Sequence, residues 1–329
     1  MAILTLIGVT ALIFVMAQVI PADPARIAAG PGAGKAQVEA LRQAMGLDRP
    51  VPEQFLRYLS GLTRLDLGRS IRTQQPVLND IVQFLPASLE LIFFSFAIYI
   101  VLGLSLGVLA AVNHNNAVDL MIRVGSIVAF AVPIYVLGLW LQYGLYFQLD
   151  WFPGGGRLDI LTSPPPHVTG FYLIDSLWAG NLPLFFEALH HIALPALTLL
   201  LGLIAVATRL TRAGMLTELR SKYIQVARLK GLPERTVIIK HALRNSLIPV
   251  VTLMGLQFGY LLGGAVIVET IFQWPGMGLY LFRAISALDY VPVIGVTLIV
   301  TFIFVTVNLL LDLIYPLLDP RIAVWGERR

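Results

Sequence analysis

The sequence predicts an all-α integral membrane protein, and composition, apolar runs and charge distribution are the three observations behind this prediction. Of the 329 residues, 57% are hydrophobic and 13% are charged, whereas soluble domains carry about 25% charged residues. So large an apolar share cannot all be buried in one soluble core. The chain contains no cysteine, which excludes disulfides and thiolate metal sites.

Apolar runs predict six transmembrane helices, because a membrane helix needs about 20 mostly apolar residues. The first run lacks the basic start and the small-residue cleavage site of a signal peptide, so we interpret it as a transmembrane helix. The six runs lie at about 2–20, 88–112, 122–147, 192–208, 247–268 and 291–315.

The charge distribution predicts the orientation of these helices. Loop 209–246 carries nine basic and two acidic residues, whereas loop 148–191 carries Arg157 against four acidic residues. Basic short loops lie in the cytoplasm, so loop 209–246 is predicted inside and loop 148–191 outside. Alternation then places loop 113–121 and both termini in the cytoplasm.

These assignments divide the chain into four predicted parts. They are a first transmembrane helix at 1–20, an external segment at 21–86, a five-helix core at 87–316 with a cytoplasmic elbow at 209–246, and a cytoplasmic tail at 317–329.

The external segment is predicted to contain two short amphipathic helices. The first, in AQVEALRQAMG, ends at Gly46, because glycine commonly ends a helix. The second, in VPEQFLRYLSGL, has Pro52 in its first turn and apolar residues at Phe55, Leu59 and Leu62.

The stretch AAGPGAGKAQ, residues 28–37, looks like a phosphate-binding loop around Lys35. That motif needs a first glycine five residues before its second one and a Ser or Thr after the lysine. Ala29 and Ala36 occupy those two positions. We therefore expect this segment to bind no nucleotide.

Two further patterns suggest chemistry that we do not expect. GLSLG, at 103–107, matches a serine-hydrolase pattern, but the spacing of Gly103 and Gly107 favours a helix-packing face over an intramembrane hydrolase.

His190 and His191 are adjacent and point about 100° apart on a helix. With no carboxylate cluster expected near them, we predict interfacial anchoring, no metal site and no cofactor.

Ionisable residues inside the membrane mark ion pathways. Glu90, Glu269 and Asp312 lie near the ends of predicted helices, and no carboxylate is predicted at mid-bilayer. This distribution disfavours an ion-coupled secondary transporter, which stays the alternative from another functional class.

The fifth predicted span carries a glycine at every fourth position, in Gly255, Gly259 and Gly263, with Thr252 and Gln257 as polar neighbours. Such a stripe permits close approach of another helix. A smooth and slightly polar helix could also line a translocation pathway. Packing of a partner subunit and a pathway both stay open.

The cytoplasmic stretch SKYIQVARLKGLPERTVIIKHALRNSLIPVV predicts a helix–turn–helix elbow. Tyr223, Val226, Ala227 and Lys230 share one helical face, Gly231 ends that helix, and the following proline begins the next. A basic amphipathic elbow can attach to anionic lipid, or it can dock a cytoplasmic partner.

Several stretches resemble the permease subunits of bacterial ABC importers in the peptide/nickel group, most of all the dipeptide/oligopeptide B-type subunits. They are IPADPA, GLDRPVPEQFLRYL, DLGRSI, LPASLEL, ARLKGL, HALRNSLIPVVT, ETIFQWPGMG and NLLLDLIYPLLDPRI. The cytoplasmic motif of these importers, Glu-Ala-Ala, three residues and Gly, is matched here only at Ala227 and Gly231.

The resemblance implies a type-1 ABC importer permease fold and a channel-forming subunit without enzymatic activity. Its implied partners are a second homologous permease, two cytoplasmic ATPase subunits, an external substrate-binding protein, membrane lipid and a peptide substrate, with no nucleic acid. Nickel complexes and glutathione are the alternative substrates within the group. The implied location is the bacterial inner membrane.

The resemblance also implies that the ATPase subunits dock on the elbow. On this interpretation Ala227→Arg leaves folding intact and releases the ATPase. The implied docking positions are Tyr223, Gln225, Val226, Ala227, Lys230, Gly231, Leu232 and Pro233.

Overall fold

The computed structural model describes residues 8, 10–12, 14, 15, 24–30, 32–44 and 46–318. Over these residues the chain is built from helices and turns, without a named strand and with one isolated bridge between Arg69 and Pro76. The all-α prediction is therefore confirmed for the described part of the chain.

From residue 24 to residue 318, thirteen α-helices follow one another along the described residues. They are α1 Pro24–Ala29, α2 Lys35–Ala44, α3 Val51–Leu62, α4 Val77–Val112, α5 Ala117–Ala131, α6 Ile134–Leu141, α7 Tyr172–Trp178, α8 Leu182–Leu219, α9 Lys222–Leu229, α10 Glu234–Thr236, α11 Arg244–Ile271, α12 Met277–Ser286 and α13 Tyr290–Leu318. There are also two π-helical segments. The first, Gln142–Gln148, continues α6, and the second, Val237–Leu243, joins α10 to α11.

Four helices among the described residues are long and apolar enough to cross a membrane: α4, α8, the part of α11 from Leu253 to Ile271, and the part of α13 from Tyr290 to Leu310. They coincide with the second, fourth, fifth and sixth predicted spans. The first predicted helix, 1–20, lies mostly outside the described residues, as does most of the predicted tail 317–329. The count of six therefore stays a prediction.

The third predicted span, 122–147, is not one straight helix. Helix α5 and the helix formed by α6 and its π-helical continuation are long enough to cross a membrane only as a pair. This pair is bent by 105°. The break lies at Val132, which is extended with φ −87° and ψ 127°, directly before Pro133. A residue before proline is disfavoured in the helical region, so the proline ends α5 there.

The helices also run beyond the predicted membrane spans. Helix α4 begins at Val77 and contains Pro86, so the predicted boundary of the external segment at residue 86 falls inside a helix. Helix α8 begins after Asn181, whose side-chain oxygen accepts a hydrogen bond from Leu184 N at 3.1 Å. It extends to Leu219, so the first eleven residues of the predicted elbow 209–246 belong to α8. A hydropathy window ends where polar residues begin, although the helix continues.

Over the described residues the chain forms two compact units. One is drawn from residues 1–88, 167–171 and 275–305, and the other from residues 89–166, 172–274 and 306–329.

The first unit contains the two short helices predicted between the first two spans, and the structure confirms that both are helical, as α2 and α3. Their external location stays a prediction. The unit also contains a buried polar network, in which the hydroxyls of Tyr280 and Thr73 each donate to Asp80 Oδ2 at 2.7 Å. Burial raises the pKa of Tyr280, so this hydroxyl stays a donor at neutral pH. The apolar core of the unit comprises Leu67, Val77, Ile81, Met277, Tyr280 and Val296.

The predicted phosphate-binding stretch lies in this unit. Lys35 is the first residue of α2, and no strand precedes it among the described residues. A phosphate-binding loop joins a strand to a helix, so the structural context of that motif is absent here.

In the second unit, α4 and α8 cross at two glycines. A Cβ at Gly103 would lie 2.6 Å from Ala207 Cβ, and one at Gly107 would lie 2.4 Å from Thr211 Cβ. The two helices approach so closely because these positions lack a side chain. The packing interpretation of GLSLG is therefore confirmed.

We expect Gly107→Val to destabilise the second unit, because its side chain would collide with Thr211 and with the carbonyl oxygen of Thr208, which would lie 3.0 Å from the added Cβ. Overpacking of this kind typically costs about 1–3 kcal/mol. The matched control is Gly125→Val in α5, where nothing lies within 4 Å. Thermal unfolding of the full chain in detergent should show a lowered midpoint for Gly107→Val only, and equal midpoints for both variants would contradict the packing.

Candidate functional site

The candidate site is built around α9, which follows α8 after a short turn. Its inner face, with Ile224 fully buried and Ala227 8% exposed, packs into the protein. This apolar cluster joins α9 to the ends of α4 and α8 and to the second π-helical segment. Its buried members are Ala111, Met215, Ile224, Ala227, Val237 and Ala242.

The C-terminus of α9 is closed by two characteristic hydrogen bonds. Gly231 N donates to Arg228 O at 2.9 Å, and Leu232 N donates to Ala227 O at 3.3 Å. This is the Schellman pattern, which needs a residue in the left-handed region at the first position after the cap. Gly231 has φ +73°, so the predicted helix stop at this glycine is confirmed.

A bidentate ion pair braces the turn after α9. Arg228 Nη2 lies 2.6 Å from Glu234 Oε1, and Arg228 Nε lies 3.2 Å from Glu234 Oε2. The guanidinium hydrogen bonds lower the pKa of Glu234. The ionised carboxylate links the end of α9 to the start of α10, and because both side chains are about half exposed, the pair contributes about 0–1 kcal/mol.

Tyr223 ties the first turn of α9 to the two long helices on either side of it. Its hydroxyl donates to the carboxylate of Glu218 in α8, and Asn245 Nδ2 in α11 donates to it at 2.8 Å. A displacement of α9 would therefore act on the ends of both α8 and α11.

The outer face of α9 combines apolar and basic residues. Leu229 is 87% exposed, and Val226 is 48% exposed. The neighbouring polar residues Gln225 and Lys230 are also exposed, as are Leu232 and Pro233 just beyond the helix. We call this surface, formed by Lys222, Gln225, Val226, Leu229, Lys230, Leu232 and Pro233, the outer face of the elbow.

The placement of Ala227 on the exposed face with Tyr223, Val226 and Lys230 is wrong. Those three residues are exposed, but Ala227 points into the core beside Ile224. A substitution to arginine there would overpack the core and bury a charge, so Ala227→Arg cannot be expected to leave folding intact. Leu229 is exposed here although it is absent from the predicted docking positions. Its position about 140° around the helix from Ile224 is the signal that could have found it.

A second ionic cluster lies at the same end of the second unit. Arg212 donates through Nε and Nη2 to the two carboxylate oxygens of Asp119, each at 2.7 Å. Asp119 is fully buried, and His114 Nδ1 lies 3.1 Å from Arg212 Nη2. These contacts attach loop 113–121 to the part of α8 that lies within 209–246, as expected for two loops on one side of a membrane.

The glycine stripe in α11 does not lie on one face. Gly255 is buried, Gly259 is half-buried, and Gly263 is exposed with nothing within 4 Å of an added Cβ. Residues four apart are offset by about 40° around an α-helix, so the stripe winds from the interior to the surface. Gln257 is 7% exposed, and the side chain of Thr252 lies outside the described part. Subunit pairing and a pathway both stay proposals for these positions.

The opposite end of the second unit contains a buried ion pair. Arg157 Nη2 lies 2.5 Å from Glu90 Oε2, and Leu173 N donates to Glu90 Oε1 at 2.8 Å. The guanidinium also stacks on the ring of Tyr172, 3.4 Å from its centroid. The one basic residue of loop 148–191 therefore fastens this loop to α4, a contact that the sequence did not reveal.

The expectation of no carboxylate near the histidine pair is also wrong. Asp159 and Glu187 lie beside His191, and their ligand atoms and one imidazole nitrogen are all within 4.8 Å of one another. His191 is 4% exposed and is not an interfacial anchor, whereas His190 Nε2 contacts Trp151 O at 2.7 Å.

Comparison with protein families matches residues 103–324 to the family described as "Binding-protein-dependent transport system inner membrane component". Residues 1–92 match its companion, described as "Binding-prot-dependent transport system membrane comp, N-term". Together the two matches cover nearly all of the chain.

Three curated relatives are similar along almost their whole length. The probable D,D-dipeptide transport system permease protein DdpB of Escherichia coli is 45% identical over 98% of this chain and 95% of the relative. The di/tripeptide transport system permease protein DppB of Pseudomonas aeruginosa is 40% identical over 97% of this chain and 95% of the relative. The dipeptide transport system permease protein DppB of Alkalihalophilus pseudofirmus is 38% identical over 96% of this chain and 95% of the relative.

Proposed function

The chain belongs to the family of binding-protein-dependent transport system inner membrane components, and from that membership we propose that it is the channel-forming subunit of an ATP-driven importer for dipeptides. The protein is a multi-pass protein of the inner membrane. Both termini and the elbow lie in the cytoplasm in this proposal, which the nine-to-two excess of basic over acidic residues in 209–246 supports.

The observation that carries the proposal is the construction of α9. Its inner face is buried in the chain's own core, while its outer face exposes Leu229 and Val226 among basic residues. Exposed apolar side chains on a rigid element are typical of a docking surface. We assign this surface to contact with the cytoplasmic ATPase subunits.

The proposed coupling follows from the contacts of α9. The Schellman turn at Gly231 and the burial of Ile224 and Ala227 in the core fix α9, and Tyr223 connects it to α8 and α11. A rigid element transmits a displacement that a flexible loop would absorb. Closure of the ATPase pair on ATP would therefore move the ends of α8 and α11 together and change which side of the membrane the pathway faces.

The residues of the elbow take two roles in this mechanism. Tyr223, Ala227 and Gly231 hold the helix in position through its inner face and its ends, and they need not contact the partner. Contact with the ATPase falls to Gln225, Val226, Leu229, Lys230, Leu232 and Pro233, which are exposed.

The remaining proposed partners complete the transporter. A second, homologous permease would pair with this chain, and the exposed residues of α11 around Gly263 are the proposed pairing surface or pathway. An external substrate-binding protein would deliver the peptide. ATP hydrolysis would belong to the ATPase subunits, so this chain itself performs no catalysis.

Dipeptides are the proposed substrate because each of the three relatives described above is named for the transport of a dipeptide or of di- and tripeptides. We expect cells that contain the importer to accumulate a radiolabelled dipeptide, and excess unlabelled dipeptide to compete with it. Both L-alanyl-L-alanine and D-alanyl-D-alanine should be used as probes. If glutathione or a nickel chelate competes and neither dipeptide does, the peptide assignment is wrong.

A further inference from the structure

Three potential metal ligands converge at the second unit, at the end opposite the elbow. Glu187 and His191 are four residues apart in the first turns of α8, and this spacing places side chains on the same helical face. Asp159 reaches them from the preceding loop, and its backbone N donates to Glu187 Oε1 at 3.0 Å. One ligand atom from each residue lies within 4.8 Å of the others.

The imidazole of His191 is held in the orientation that a metal ligand requires. Its Nδ1 lies 3.2 Å from Gly155 O and 3.3 Å from Gly156 O, and because carbonyl oxygens only accept, Nδ1 carries the hydrogen. Nε2 thereby faces Asp159 Oδ1, 3.4 Å away, and in the neutral imidazole its lone pair is directed to the same point as the two carboxylates. Metal-binding histidines commonly donate the other ring N–H to a backbone carbonyl in this way.

The histidine side chain is itself almost wholly buried, at 4% exposure, while Asp159 is 73% exposed. Among the described residues, no lysine or arginine forms an ion pair with Asp159 or Glu187. Two carboxylates held this close, with no basic side chain other than the imidazole of His191 beside them, repel each other, and a bound cation would neutralise this repulsion.

From these contacts we propose that Asp159, Glu187 and His191 bind one Zn²⁺ ion. One imidazole nitrogen and two carboxylate oxygens are ligands that zinc accepts, whereas Mg²⁺ and Ca²⁺ prefer oxygen ligands alone. The site opens into a cavity of about 600 Å³ that Tyr146, Phe152 and His190 also line. Water from this cavity completes the coordination.

The bound ion has a structural consequence. It joins the loop that contains Asp159 to the start of α8, next to the carbonyl contacts of His191 with Gly155 and Gly156. Zinc therefore stabilises the conformation of this loop.

The test measures zinc binding to the full-length chain, purified in detergent without a polyhistidine tag, by equilibrium dialysis and metal analysis. Asp159→Asn and Glu187→Gln each remove one ligand charge with little change of shape. The matched control is Asp150→Asn, because Asp150 lines the same cavity but lies outside the cluster. Its φ is +52°, a conformation that asparagine also adopts readily.

We expect one zinc ion per chain, an affinity at least about tenfold weaker in Asp159→Asn and in Glu187→Gln, and wild-type affinity in Asp150→Asn. Zinc should raise the midpoint of thermal unfolding of the wild type and of Asp150→Asn but not of the two ligand variants. The proposal is overturned if the wild type shows no saturable zinc binding, if the ligand variants bind zinc as tightly as the wild type, or if excess Mg²⁺ displaces the zinc.

Discussion

Leu229→Asp is expected to release the ATPase subunits while the permease stays folded. The side chain is 87% exposed on the outer face of the elbow, so the substitution disturbs no core packing. An apolar side chain buried on docking can contribute about 2 kcal/mol or more to a protein interface. Its replacement by a carboxylate should therefore weaken ATPase binding by about 30-fold or more.

The measurement is recovery of the ATPase with the permease from detergent extracts, together with ATP hydrolysis in lipid vesicles. Leu161→Asp is the matched control, because Leu161 is 97% exposed in the loop at the opposite end of the second unit. The control should retain the ATPase. If Leu229→Asp also retains it and transports normally, the elbow is a lipid-surface helix and is not the docking site.

Glu90→Gln is expected to destabilise the protein strongly. It leaves the guanidinium of Arg157, 8% exposed, beside a neutral amide in place of its carboxylate. Breaking one side of a buried ion pair costs about 3–5 kcal/mol, because the remaining buried charge loses this opposite charge. Adding Arg157→Gln to Glu90→Gln should recover part of the lost stability.

Unfolding of the full chain in mixed detergent micelles measures these differences. The control is Glu53→Gln, which breaks an ion pair with Arg49 whose side chains are 46% and 41% exposed. An exposed pair contributes about 0–1 kcal/mol, so this variant should unfold nearly as the wild type does. If Glu90→Gln and Glu53→Gln lower the free energy of unfolding equally, burial of the ion pair between Glu90 and Arg157 does not set its contribution to stability.

Features that depend on neighbouring residues could be predicted from the sequence. The end of α9 at Gly231 and the close packing at Gly103 and Gly107 follow from short-range patterns, because a left-handed turn and a close helix crossing each need glycine. The bend at Pro133 belongs to the same class. The apolar run through 122–147 continues across this proline, so hydropathy alone predicts one straight helix there.

Features that depend on distant parts of the chain could not be predicted in this way. Helical spacing groups Ala227 with Tyr223, but burial of Ala227 depends on packing against Ala111 and Met215. The residues of the proposed zinc site come from a loop and from α8, and only Glu187 and His191 have a spacing that the sequence displays. Folding brings Asp159 to them, and this contact changes the interpretation of the histidine.

The central claim, an ATP-driven importer, is tested most directly by dipeptide uptake into vesicles that contain this chain with its partner permease, ATPases and binding protein. We expect uptake that requires ATP on the side of the ATPase subunits and persists when ionophores abolish the proton and sodium gradients. Uptake that continues without ATP and stops when the ionophores are added would contradict the claim and identify an ion-coupled transporter.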